Sequence, residues 1–230
     1  MISDEETEQL EVNREPFTRN QIIKGFVILG LFIISRLVFA YILNQFINQS
    51  SHLQYFIYLL IVFSVISIGL VYLGFSKWIK VDLKSWWYNK KGLKKNLLWG
   101  ILGTIVSYVV MVLVLILFAP VLEESPISNQ GEQLNVFTIL NGLFFGFAIA
   151  SFQEESIFRG FFQKLFTEKY GKWKAIIIQA VMFSLAHIGY YPISSYYLYI
   201  LSFLLGIVYG WLKAKRGTLL ASGIAHGIIG

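Results

Sequence analysis

The chain has 230 residues, 56% of them apolar and only 14% charged, with a mean hydropathy of +0.64. A water-soluble domain of that length needs more charge to cover its surface, so the composition points to a chain solvated by lipid. The net charge of +6 comes from basic residues scattered between apolar segments, which excludes a nucleic-acid partner, and the absence of cysteine excludes disulfides and thiolate-held metals.

In chain order, residues 1–21 are polar and rich in acid, a composition that predicts a flexible cytoplasmic tail. A hydrocarbon core about 30 Å thick takes roughly 20 apolar residues per helix. Charge-poor stretches of that kind run over 22–43, 53–75, 97–122 and 134–153, and shorter ones over 175–191, 193–212 and 218–230. The last has about thirteen residues, too few to cross. Either more chain follows Gly230 or this helix ends inside the bilayer. The predicted fold is all-α: a polytopic transmembrane helix bundle of about seven spans, with the last helix incomplete. Its parts are the tail (1–21), the N-terminal transmembrane helices (22–133) and a helical core (134–230).

The connections set the orientation. "SKWIKVDLKSWWYNKKGLKKN", after the second stretch, holds seven lysines, and Trp78, Trp86 and Trp87 suit the interface. Arg159, Lys164, Lys169, Lys172 and Lys174 follow the fourth stretch, and Lys213, Lys215 and Arg216 the sixth. The intervening connections lack basic residues. This alternation places the N-terminus in the cytoplasm and the chain in the cell membrane as a multi-pass protein. Gly142/Gly146 and Gly206/Gly210 are small-residue pairs four apart that predict close helix packing. Arg36, inside the first span, is expected to pair with a carboxylate or to snorkel, and the sequence names no partner for it.

The polar residues of "SFQEESIFRGFFQKLF" (151–166) stand out against this background, because an ionisable group in a bilayer costs several kcal/mol. Glu155 and Arg159 are four apart on a helix, acid first, the favourable order for an ion pair. Glu154 lies about 100° round the helix and is left free for another role. Two of the three histidines, His187 and His226, also lie in apolar surroundings; His52, in an outer loop, is incidental. At 1.5 Å per residue, Glu154 is about 15 Å from Lys164, His187 about 20 Å from Lys174 and His226 about 15 Å from Arg216. Three ionisable groups from three helices therefore meet at one depth.

Such a set suits peptide hydrolysis, which needs an activated water and a donor for the developing oxyanion. Glu154, desolvated, is the general base; His187 shares its water; His226 donates to the oxyanion. Glu155 and Arg159 orient the site. A carboxylate with two imidazoles and an open position also matches a catalytic zinc site, so Glu154, His187 and His226 are candidate ligands for zinc or another divalent metal. Absence of a serine elbow or a Gly-x-Asp pair argues against serine and aspartyl intramembrane chemistry. A structural set, an intramembrane salt bridge with two hydrogen-bonded histidines, is the bland alternative.

These residues resemble the CPBP family, the CAAX-protease and bacteriocin-processing group of intramembrane metalloproteases. Its Glu-Glu-x-x-x-Arg motif is matched by Glu154, Glu155 and Arg159, and its Phe-x-x-x-His motif by Phe183 and His187. The His-x-x-x-Asn motif is matched only at His226, since Gly230 stands where Asn is expected. The resemblance spans about 137–230. It implies proteolysis of membrane-associated peptides or proteins, with the first glutamate and the second-motif histidine activating water. It also implies the late histidine at the oxyanion, and metal dependence. Loss of the asparagine amide would remove a polar group worth roughly a few kcal/mol at comparable oxyanion sites.

Two other readings share the residues. A non-catalytic relative would use the cavity as a membrane scaffold or bacteriocin-immunity protein, binding a peptide or a membrane partner. A transporter would use Glu154 and Arg159 as an ion relay, which the lack of an inverted repeat argues against. Substrate and oligomeric state are open at this point.

Overall fold

The computed structural model describes residues 16–47, 53–87, 92–118, 142–144 and 146–229. Helix α1 spans Arg19–Ile47, and α2 spans Leu53–Leu73 and closes in a wide π turn, Gly74–Ile79. A short α3 (Leu83–Trp87) precedes the long α4 (Leu93–Leu117). A π-wound segment, Gly146–Phe162, runs directly into α5 (Gln163–Tyr170), and α6 (Lys172–Leu185), α7 (Tyr196–Arg216) and α8 (Leu220–Ile229) complete the bundle. No strand occurs among the described residues.

Helix α4 shows how lipid inverts the usual pattern. Its buried stripe, Asn96, Gly100, Gly103, Ser107 and Val114, is mostly small or polar at helical spacing. Leu98, Ile101, Ile105, Leu113 and Leu117 face outward instead. In lipid no hydrophobic force drives large side chains inward, so small residues line the contacts and let backbones close up. A Cβ at Gly100 would lie 2.8 Å from the Cβ of Ile224, on α8. Gly206 and Gly210 behave as expected: Gln179 Nε2 donates to the Gly206 carbonyl and Gln163 Nε2 to that of Gly210, each at 2.8 Å. At Gly142, by contrast, an added Cβ would meet no described residue within 4 Å.

Four described helical segments are long and apolar enough to cross a membrane: Arg19–Ile42, Ile61–Ile79, Leu93–Leu117 and Tyr196–Arg216. The expected count of seven is therefore not reached among the described residues. Most of the 134–153 stretch lies outside them, as do Gly230, the 1–15 part of the tail and the loop carrying His52. The apolar run 175–191 is helical only to Leu185, because Gly189 takes φ +86° and Pro192 follows, neither of which continues a helix. Helix α8 has only ten residues.

The basic connections gather at one end of the bundle. Lys24 Nζ donates to the Trp78 carbonyl, Lys164 lies 4.6 Å over the ring of Phe17, and Arg216 Nε donates to Asn96 Oδ1. At this end Glu168 is exposed, yet partial loss of water raises its carboxyl above the ordinary range despite the nearby Lys164. The apolar core takes Ile28 and Phe32 from α1, Val71 and Phe75 from the second helix, and Ile157, Phe158, Phe161 and Phe162 from the π segment.

Candidate active site

The π segment is the axis of the bundle. Bonding from i to i+5 is rare and usually confined to single turns near functional sites, yet here it persists for 17 residues. Each residue then turns about 80° rather than 100° round the axis. Glu154 and Glu155 stay on different faces, and Arg159 remains close to the face of Glu155.

Glu155 and Arg159 form the expected pair, with Nη1 3.0 Å from Oε1 and both side chains sealed from solvent. The alignment is that of an ion pair rather than a directed hydrogen bond, and no nitrogen of the guanidinium has a hydrogen-bond acceptor among the described residues. Ring faces surround it instead: Arg159 Cζ lies 4.2 Å from the Phe183 centroid and 5.3 Å from that of Tyr209. Desolvated contacts of this kind contribute about 2 kcal/mol.

Glu155 has a second task that the sequence does not announce. Its Oε1 lies 2.9 Å from Nδ1 of His226. The imidazole is held as firmly by rings, stacked on Tyr209 at 4.7 Å and 18° and met edge-on by Phe183 at 5.6 Å. Helix α8 delivers it there through its small residues. A Cβ at Gly223 would meet Trp87 at 2.5 Å, and one at Gly227 would meet Phe147 at the same distance. Ser151 Oγ, from the π segment, also donates to the Gly223 carbonyl at 2.8 Å.

Glu154 faces the other way. Its Oε1 pairs at 2.5 Å with Nη1 of Arg36, the cation of α1 that the sequence left without a partner. Its Oε2 is buried, has no hydrogen-bond partner among the described residues, and lies 3.5 Å from Nε2 of His226. Arg36 can reach because α1 runs antiparallel to the π segment at close range; a Cβ at Gly25 would overlap the ring of Phe161. Its guanidinium rests on Phe32 and Tyr190, 5.0 and 5.3 Å from their centroids. The depth rule that joined the other three groups would have included it, at about 18 Å from Lys24.

His187 sits in the turn just past α6 rather than on a helix. Its amide donates to the Ser184 carbonyl and its Nδ1 is 2.8 Å from the Phe183 carbonyl. The ring stacks on Tyr191 at 5.0 Å and 11°, and Tyr191 is fixed in turn by Tyr199, whose hydroxyl donates to its carbonyl. His187 and His226 thus flank Phe183, and both interact electrostatically with Glu154.

Hydrogen bonding assigns the ring nitrogens. A carbonyl and a carboxylate can only accept, so Nδ1 donates in both histidines. In a neutral imidazole Nε2 then carries a lone pair. For His226 to donate to an oxyanion from Nε2 it must be an imidazolium.

Two carboxylates, Glu154 and Glu155, are matched by two guanidiniums, Arg36 and Arg159. Neutrality is what makes such a cluster tolerable in a dry interior, where an unmatched charge costs several kcal/mol. For a metal the donors fall short. Glu154 Oε2 and His226 Nε2 are spaced as two ligands would be, but no three His, Asp or Glu side chains among the described residues are grouped to hold one ion.

Residues 135–230 match the family model described as Type II CAAX prenyl endopeptidase Rce1-like. The resemblance carried by Glu154, Glu155, Arg159, Phe183 and His187 is borne out over that region, and Arg36 lies outside it. No curated protein and no solved structure gives a significant match.

Proposed function

We propose that the chain is a multi-pass cell-membrane endopeptidase of the CAAX-protease type, hydrolysing peptide bonds of membrane-associated peptides or proteins. The observation that carries this reading is the buried, unpartnered Glu154 Oε2 lying 3.5 Å from Nε2 of His226. A water beside the pair, donating to Glu154 Oε2 and reaching His226 Nε2 through a bent second hydrogen bond, turns its oxygen lone pairs toward an incoming carbonyl. Glu154 takes a proton as the oxygen attacks, and returns it to the leaving amine. His187 Nε2, on the far side of Phe183, is placed to accept a hydrogen bond from the substrate amide N–H. Glu155 and Arg159 act through His226 by fixing its ring.

No step here passes through a metal. A divalent ion at Glu154, His187 and His226 would polarise the carbonyl and the water, and would require the His187 turn to move inward.

The test is cleavage of a quenched membrane-anchored peptide by the protein in proteoliposomes. Glu154→Gln is expected to abolish turnover while the helical signal persists, because the amide keeps the shape but cannot take the proton. Normal turnover in that variant would remove the proposal.

A further inference from the structure

Among the described residues discussed so far, none supplies the proposed hydrolysis with an oxyanion donor. Gly230 stands where an asparagine is expected, and both imidazoles have already spent their N–H at Nδ1. Arg159 cannot serve, since it is wholly buried between Phe183 and Tyr209 and committed to Glu155. One cation at the site is placed differently. The side chain of Arg36 is 14% exposed where that of Glu154 is 2%, so it is the more exposed member of the pair. Of its five N–H groups, one goes to Glu154 and the others are free of hydrogen bonds to described residues.

Resting on the hydrolase reading above, we propose that Arg36 is a further catalytic residue, donating from its guanidinium to the carbonyl oxygen of the scissile peptide as that oxygen becomes negative. The charges move in a way that favours this. Water, the Glu154 carboxylate and the peptide carbonyl become a neutral Glu154 carboxyl and a tetrahedral centre with one hydroxyl and one alkoxide oxygen. The negative charge thus leaves the partner of Arg36 and reappears one group away. A guanidinium fixed beside Glu154 loses its counter-ion at the moment the oxyanion forms. Its interaction with substrate is therefore strongest in the transition state, the condition for raising turnover rather than ground-state binding. A first-span arginine, outside the matched region, supplies the donation that the resemblance assigns to an asparagine.

Arg36→Gln and Arg36→Lys are compared with wild type in proteoliposomes, using one peptide substrate and a phosphinic peptide of the same sequence, whose tetrahedral anion mimics the intermediate. For Arg36→Gln, kcat is expected to fall by about 10²–10³, the range for losing one oxyanion donor, with KM little changed. Affinity for the phosphinic peptide should fall in step, and affinity for the parent peptide should not. Arg36→Lys, which keeps the charge but not the fork, should fall between. Because Arg36→Gln alone leaves Glu154 buried without its cation, the affinities are also compared between Glu154→Gln and the double variant Glu154→Gln/Arg36→Gln. A residue that only neutralises Glu154 would leave the phosphinic peptide bound equally well in those two, and that result overturns the inference. So does wild-type kcat in Arg36→Gln. If wild type cleaves no peptide, the hydrolase reading falls and takes the inference with it; if cleavage is present and the affinities of the two peptides change equally, the inference falls alone.

Discussion

Glu155 and His226 are 71 residues apart in the chain, and their side chains meet at 2.9 Å. One carboxylate oxygen therefore joins the sealed arginine of the π segment to the imidazole of the last helix. It sets which nitrogen of His226 bears hydrogen, and so which face the site presents to water.

Replacing Glu155 by Gln should affect two quantities separately. Turnover should drop about 10- to 100-fold, as when a partner that orients a reactive imidazole is lost in comparable sites. Stability should drop by about 3–5 kcal/mol, because Arg159 is left as an unmatched buried charge. Thermal unfolding in detergent reads the second effect. Adding Arg159→Gln should restore much of the stability and none of the turnover.

Tyr209 holds His226 by stacking and Arg159 by its ring face. Tyr209→Phe keeps the ring and should leave cleavage within a few-fold of wild type. Tyr209→Ala removes it, with an expected cost of about 3–5 kcal/mol and a larger loss of kcat than of substrate affinity. Equal activity in the two variants would show that the ring does not position the imidazole.

The separation of α4 and α8 depends on Gly100, whose added Cβ would lie 2.8 Å from the Cβ of Ile224. Gly100→Val should overpack that contact, costing about 1–3 kcal/mol, and should shift His226 enough to lower turnover. Gly142→Ala is the comparison, since no described residue lies within 4 Å of a Cβ at that position. The comparison is made from melting curves and initial rates on one membrane preparation.

Chelation tests the composition of the site. With the water held by Glu154 and His226 alone, cleavage should survive dialysis against a strong chelator. Loss of activity that zinc restores would mean that His187 moves inward to complete a metal site.

Much of this site was legible in the sequence because burying charge is expensive. Glu154, Glu155, Arg159, His187 and His226 stand out against an apolar background, and counting residues from the basic ends puts them at one depth. The Glu155–Arg159 pair follows from spacing alone. Arg36 was visible but its partner was not, since a choice between carboxylates on another helix depends on how α1 packs, which is decided at Gly25 and Phe161. The π winding was hidden because no residue type demands it. Tyr209 and Tyr191 read as ordinary apolar aromatics until the rings they stack on are known. Composition outruns backbone at 186–191, which is apolar enough to continue α6, but Gly189 and Pro192 turn the chain.

The pairing of two carboxylates with two guanidiniums has an electrical consequence. A charge moved through the whole membrane potential exchanges about 2.3 kcal/mol per 100 mV, which is how voltage-sensing helices work. With both imidazoles neutral, this cluster sums to zero, so the field exerts no net force on it. Only displacement within the pairs couples to voltage, and those shifts are a few ångströms at most. The site would keep one rate in an energised cell and in a depolarised vesicle.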